Sequence, residues 1–215
     1  MRIKVCGVAR ARDARLAARL GAWAVGMIFV PKTPRFLTLA RAKRVRAAIP
    51  KGVLAVGVFR NPADGEMRRA IEALRLDAVQ VDGPVPKGLG VPVLAVVPLI
   101  SGRVRLPRMS RNNFVLIEPA RTGADRRAGR GPGERARRAA WRKASSSRGR
   151  GTRVILAGGL TPENAAEAAA AAKPWALDVS SGVESRPGVK DPALLRAFFA
   201  AVKSADGDSR RRERN

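Results

Sequence analysis

Several short stretches of this 215-residue chain carry side chains suited to acid–base and phosphate chemistry. Cys6, the only cysteine, precedes Gly7 at the end of the apolar run Ile3-Lys4-Val5-Cys6. As a thiolate it can take a proton from carbon, provided local positive charge lowers its pKa. Lys4 is two residues earlier, on the same face of an extended segment. Glu118 follows the run Phe114-Val115-Leu116-Ile117 and offers a carboxyl group. Arg35, in Pro31-Lys32-Thr33-Pro34-Arg35-Phe36, offers a planar guanidinium fork suited to a carboxylate. Two further runs end in glycine, Leu156-Ala157-Gly158-Gly159-Leu160 and Val179-Ser180-Ser181-Gly182-Val183. Glycine lets backbone N–H groups approach oxyanions closely, so Gly158, Gly159, Ser180, Ser181 and Gly182 are candidate phosphate ligands. Histidine is absent, which excludes histidine triads, histidine-ligated metals and imidazole proton shuttles.

These groups need a frame that brings distant segments to one place. Eight short apolar runs alternate with stretches of helical period: 3–6, 24–29, 54–59, 78–81, 93–97, 114–117, 154–157 and 176–179. That alternation predicts an α/β protein with parallel strands, at the compact end of the (β/α)8 TIM barrel range. In such a barrel chemistry sits at the C-terminal strand ends, and the loops after strands seven and eight commonly hold phosphate. Helices are expected over Asp13–Leu20, over Leu39–Ile49 behind a Thr38 cap, from Asn61-Pro62, and behind Thr161-Pro162 and Asp191-Pro192. Between the fourth and fifth runs lies only Asp82–Pro92, broken by prolines and glycines. A helix there is therefore missing or reduced, and the outside of two strands should be poorly covered. The link Ser101–Asn113 is weakly helical. The stretch Arg121–Arg150 holds ten arginines and one lysine against Asp125 and Glu134, with Trp141 as its only large apolar residue. Residues 121–152 are thus expected as a mobile Arg-rich loop after strand six, with at most a short helix near Gly133–Lys143. One barrel domain over 1–203 and a disordered polar tail over 204–215 complete the expectation.

The net charge of +26 comes from 43 Lys and Arg against 17 Asp and Glu. Such a balance suits a phosphate-rich partner, although a coding bias toward arginine produces the same number. Aromatic residues make up only 4% and no RNA-binding aromatic motif occurs, so nucleic acid is expected to bind non-specifically if at all. No apolar run is long enough for a spanning helix, and the N-terminus has no signal-like segment, so neither a membrane partner nor secretion is expected. A lone cysteine fits a reducing, cytoplasmic setting.

The sequence resembles the phosphoribosylanthranilate isomerase family of tryptophan biosynthesis. The resemblance rests on Lys4-Val5-Cys6-Gly7-Val8, the Pro31–Phe36 segment, Val56-Gly57-Val58-Phe59 and Ala78-Val79-Gln80. It continues in Leu156–Asn164 and in Asp178-Val179-Ser180-Ser181-Gly182-Val183-Glu184, followed by Pro187-Gly188 and Lys190-Asp191. It covers roughly residues 1–83 and 153–203. It implies an Amadori rearrangement of N-(5-phosphoribosyl)anthranilate to 1-(o-carboxyphenylamino)-1-deoxyribulose 5-phosphate, with no cofactor and no metal. It also implies Cys6 as general base and Glu118, in place of the family aspartate, as general acid. Arg35, Gln80 and Asp178 would bind the substrate, and Arg35 would meet the anthranilate carboxylate. The implied partner is a small phosphosugar; the sequence leaves monomer and homodimer both open.

Four departures from the family pattern fall between residues 82 and 152. They are Glu118 itself, Asp82 where the family has histidine, the missing helix after strand four, and an unrecognisable glycine-rich loop after strand six. These make a catalytically impaired phosphate-binding barrel, binding polyanions through its basic loop, the alternative reading.

Overall fold

The computed structural model describes residues 1–99, 114–119, 133–146 and 153–212. Eight strands close into a parallel barrel in chain order: β1 (Arg2–Val5), β2 (Ala24–Ile28), β3 (Leu54–Arg60), β4 (Ala78–Asp82), β5 (Val93–Leu99), β6 (Phe114–Pro119), β7 (Arg153–Ala157) and β8 (Ala176–Val179). β1 closes the ring on β8, with Lys4 opposite Asp178. The protein is therefore a TIM barrel, and all eight apolar runs of the sequence are strands.

Period-two alternation sorts each strand into two layers. Val5, Val25, Val79, Ile117, Leu156 and Leu177 face the surrounding helices and join the larger core. Ala24, Val56, Ala78, Leu94, Leu116 and Ile155 fill the barrel interior as a second core. Lys4, Cys6, Gln80, Glu118 and Asp178 share the inward parity of this second set, and they lie toward the C-terminal ends of their strands.

The helices are α1 (Ala11–Leu20), α2 (Leu39–Arg46), α3 (Asp64–Leu74), α4 (Glu134–Ser146), α5 (Pro162–Ala172) and α6 (Pro192–Arg212). Caps set several of the boundaries. The Thr38 side chain accepts from the Arg41 N–H at the start of α2. The Asp191 carboxylate accepts from the Ala193 and Leu194 N–H groups at the start of α6. α3 begins at Asp64, later than the Asn61-Pro62 start expected, because Asn61 takes a left-handed φ of 43° and its N–H is spent on the Asp82 carbonyl.

Residues 83–92 contain no helix, as expected, but the strands beside them are not bare. Leu89 is 9% exposed and joins the outer core with Val79, Val81 and Val93. Arg68 of α3 donates to the Lys87 and Gly88 carbonyls and holds this loop in place. A short apolar plug with an external clamp therefore does the covering expected of a helix.

Two basic segments are more ordered than their composition suggests. Glu134–Ser146 forms a 13-residue helix that buries Ala140, Trp141 and Ala144. The rest of the expected mobile loop, 121–132 and 147–152, lies outside the described residues, as do Asp125 and the Ser101–Asn113 link. α6 runs on to Arg212, so most of the segment expected as a tail continues a helix anchored by Leu195, Phe198, Phe199 and Val202. Among the described residues no helix is long and apolar enough to cross a membrane.

After β8 the chain makes one 3-10 turn (Ser181–Val183) and then a small antiparallel hairpin, β9 (Glu184–Arg186) with β10 (Val189–Lys190).

Candidate active site

The end of β1 places Cys6 against β8, where its N–H donates to the Val179 carbonyl at 2.8 Å. At the next residue, a Cβ on Gly7 would lie 3.1 Å from Ser180 Oγ and 2.6 Å from Arg35 Cδ. The first strand, the loop after β2 and the loop after β8 therefore meet at one point. The two candidate phosphate loops meet as well, since a Cβ on Gly182 would overlap the Leu160 carbonyl. Gly158 and Gly159 both have positive φ (90° and 69°), and Asn164 Nδ2 donates to the Gly159 carbonyl, pinning the first loop to α5. Ser180 and Ser181 open the second loop. Glu118 also belongs to this rim: a Cβ on Gly158 would sit 3.4 Å from Glu118 Cβ.

Beneath Cys6 lies a buried polar cluster. Lys4 Nζ donates to Asp178 Oδ2 at 2.8 Å and, across the barrel, to Gln80 Oε1 at 2.7 Å. Gly26 makes room for it, because a Cβ there would stand 3.0 Å from the Cys6 sulfur and 3.4 Å from Lys4 Nζ. Asp178 Oδ1 is buried with no hydrogen-bond partner among the described residues. Such an acceptor is costly unless a ligand donor reaches it.

The electrostatics of this cluster are coupled. Burial pulls the Lys4 ammonium toward its neutral form, but the Asp178 carboxylate and the Cys6 sulfur outweigh it, so its pKa stands above the ordinary value. Burial pushes Asp178 up, and Lys4 and Lys190 offset that only in part. Burial also pushes the Cys6 thiol up. Lys4 and Lys190 oppose this, Asp178 adds to it, and the net shift is upward. Lys4 and Lys190 do bring positive charge to the thiol, but in the free chain desolvation wins.

Arg35 does not point unencumbered into the mouth. Its Nε lies 2.9 and 3.2 Å from the two Glu184 oxygens and its Nη2 lies 2.6 Å from Oε2. Lys190 Nζ donates to the same carboxylate at 2.8 Å. Asp82, at the end of β4, is paired with Arg60 at 2.7 Å. Lys4, Glu184 and Lys190 were not among the expected site residues. Lys4 carried the clearest signal, a lysine alternating with the sole cysteine so that both face inward. Glu184 and Lys190 stood inside recognised motifs, but nothing in the sequence showed that they meet Arg35. No group of three or more Cys, Asp or Glu side chains among the described residues is placed to hold a metal ion.

The sequence matches the N-(5'-phosphoribosyl)anthranilate (PRA) isomerase family over residues 3–101 and 125–201. The match thus extends well into the middle of the chain, beyond the segments whose motifs are recognisable by eye. The N-(5'-phosphoribosyl)anthranilate isomerase of Myxococcus xanthus is 38% identical over 214 residues, covering 95% of this chain and 97% of that one. Among solved structures, the phosphoribosyl anthranilate isomerase of Thermotoga maritima superposes with a TM-score of 0.78 at 29% identity, covering 95% of this chain and 99% of that chain. A phosphoribosyl anthranilate isomerase in complex with reduced 1-(o-carboxyphenylamino)-1-deoxyribulose 5-phosphate superposes at 0.75 with 28% identity and the same coverage. With its thiol, carboxyl group and paired glycine loops on one barrel rim, and with likeness of this extent in sequence and fold, the chain belongs to the N-(5'-phosphoribosyl)anthranilate isomerase family.

Proposed function

We propose that this chain isomerises N-(5-phosphoribosyl)anthranilate with Cys6 as general base and Glu118 as general acid. Glu118 gives a proton to the ribose ring oxygen. The C1–O bond breaks as the anthranilate nitrogen lone pair forms the C1=N bond of an open-chain iminium. The Cys6 thiolate then takes the proton from C2, and the C2–H electrons form the C1=C2 bond of an enolamine, neutralising the iminium nitrogen. Tautomerisation moves the C2 hydroxyl proton to C1 and leaves the ketone. Thiol and carboxyl exchange protons with solvent, and no redox partner enters the balance.

The substrate is anionic at both ends, and the rim is built to match. The backbone N–H groups around Gly158, Gly159, Ser180, Ser181 and Gly182 take the phosphate. Arg35 takes the anthranilate carboxylate. The unpartnered Asp178 Oδ1 accepts from a ribose hydroxyl, and Gln80 holds Lys4 in place beneath it. The observation that carries the reading is the meeting of the Cys6-Gly7 strand end with Ser180 and Arg35 at one barrel mouth.

Complementation of a tryptophan auxotroph lacking this step tests it directly. The wild-type chain restores growth, whereas Cys6→Ala and Glu118→Gln do not. A folded wild-type chain that neither complements nor turns over substrate in vitro overturns the reading and leaves the non-catalytic polyanion binder in its place.

A further inference from the structure

The hairpin after β8 contains a buried charge cluster to which the reaction above assigns no role. Glu184 (3% side-chain exposure) and Lys190 (0%) face each other at 2.8 Å across β9 and β10. Burying two such groups is expensive, and fold stability alone is poorly served by it. The cluster reaches in three directions. Glu184 holds Arg35 through Nε and Nη2. Lys190 Nζ donates to the Ser180 carbonyl in the phosphate loop at 3.0 Å. The Lys190 backbone is fixed to α1, its N–H donating to Asp13 and its carbonyl accepting from Arg10.

A guanidinium has two edges that can each grip a carboxylate bidentately, Nε with Nη2 and Nη1 with Nη2. Glu184 occupies the first. Among the described residues nothing occupies the second, and the Arg35 Cδ and Nε atoms that lead to it lie against Gly7, the residue after Cys6. If Glu184 were Arg35's only neighbour, it would cancel the charge needed to attract an anion. Lys190 neutralises Glu184 instead and leaves one positive charge in the cluster.

We propose that Glu184 and Lys190 are positioning residues that aim the free edge of Arg35 at the substrate carboxylate and lock it to the phosphate loop. The proposal rests on the isomerase reading, and it makes selectivity for a carboxylated aromatic ring a property of the hairpin rather than of Arg35 alone. The two anionic ends of the substrate are then held at a fixed separation, set through Ser180 and Lys190.

The test compares two inhibitors, reduced 1-(o-carboxyphenylamino)-1-deoxyribulose 5-phosphate and its phenylamino analogue lacking the carboxyl group. Their Ki ratio is measured for the wild type, Glu184→Asp, Glu184→Gln and the double variant Glu184→Gln/Lys190→Met, which removes both buried charges together. Wild type is expected to prefer the carboxylated inhibitor by about a hundredfold, and the Gln variants to lose about tenfold of that preference. In Glu184→Gln, which keeps Lys190 on the Ser180 carbonyl, affinity for the inhibitor without a carboxyl group should stay within about threefold. Glu184→Asp keeps the charge and should retain part of the preference. An unchanged ratio in any Gln variant that melts cooperatively overturns the proposal, as does a wild type without preference. Should neither Gln variant fold, an unchanged ratio in Glu184→Asp, whose shorter arm cannot reach both nitrogens as Glu184 does, overturns it equally. Failure of wild type to bind either inhibitor would instead overturn the isomerase reading.

Discussion

At the scale of single residues, the thiol and its neighbours make opposite and separable predictions. The free chain holds Cys6 above its ordinary pKa, first through burial and then through Asp178, against Lys4 and Lys190. With Cys6 as the proposed base, active as its thiolate, kcat/KM, which reports the free enzyme, should climb from neutral into alkaline pH. Asp178→Asn removes an anion that disfavours the thiolate and should move that limb to lower pH. Lys190→Met removes a cation that favours it and should move the limb to higher pH. A pH series of kcat/KM on the three proteins checks both signs. Coincident limbs would show that the sulfur does not titrate in the reaction.

Glu118 supports a second residue-scale expectation. Relative to the aspartate of the family pattern it carries one more methylene, which displaces the proposed proton donor by about 1 Å, and a shift of that size can cost about a hundredfold in rate. Glu118→Asp should therefore raise kcat, and Glu118→Gln should lower it by about a hundredfold or more. Steady-state kinetics decide it. A drop for the Asp variant would mean that this rim has adjusted to the longer acid.

At the scale of elements, the two proposed phosphate loops depend on each other. Gly182 sits where any side chain would strike the Leu160 carbonyl, a backbone atom that cannot swing aside. Gly182→Ala should push the loops apart and raise KM by about tenfold or more while affecting kcat less, because ring opening and proton transfer occur at the other end of the substrate. The loop over 83–92 makes a different prediction. Leu89 substitutes for a helix over β4 and β5, so Leu89→Ala should destabilise the barrel by about 2 kcal/mol, read from a denaturant midpoint, with kinetics unchanged. A wild-type midpoint would show that Arg68 alone holds the loop.

The same elements show what was legible. Strands were readable because inward and outward parity leaves a short apolar run whichever layer a residue joins, and the chemistry-bearing strand ends followed from them. The helix Glu134–Ser146 was legible only as a short helix near Gly133–Lys143 within a loop, because its buried face is two alanines and one tryptophan among arginines. Such a face is too small to stand out by period, and only docking against the barrel makes it helical. The pairings of Arg35 with Glu184 and of Lys4 with Gln80 span 149 and 76 residues, and no local pattern encodes contacts of that range.

At the scale of the whole molecule, the charge of +26 is compatible with both an enzyme and a polyanion binder, and salt separates them. An anionic substrate is steered by the summed field, which ions screen over about 10 Å at 0.1 M and about 3 Å at 1 M. The charges proposed to touch the substrate, Arg35 and the loop amides, would act at contact distance and be screened much less. Raising salt should therefore lower kcat/KM severalfold while leaving kcat nearly constant. Heparin should inhibit at low salt by occupying the basic exterior, and its effect should vanish as counterion release loses its advantage. Inhibition that is relieved by salt, with kcat intact, assigns the surplus charge to the surface and the chemistry to the barrel mouth. Turnover that collapses together with heparin binding would mean instead that the basic exterior takes part in the site.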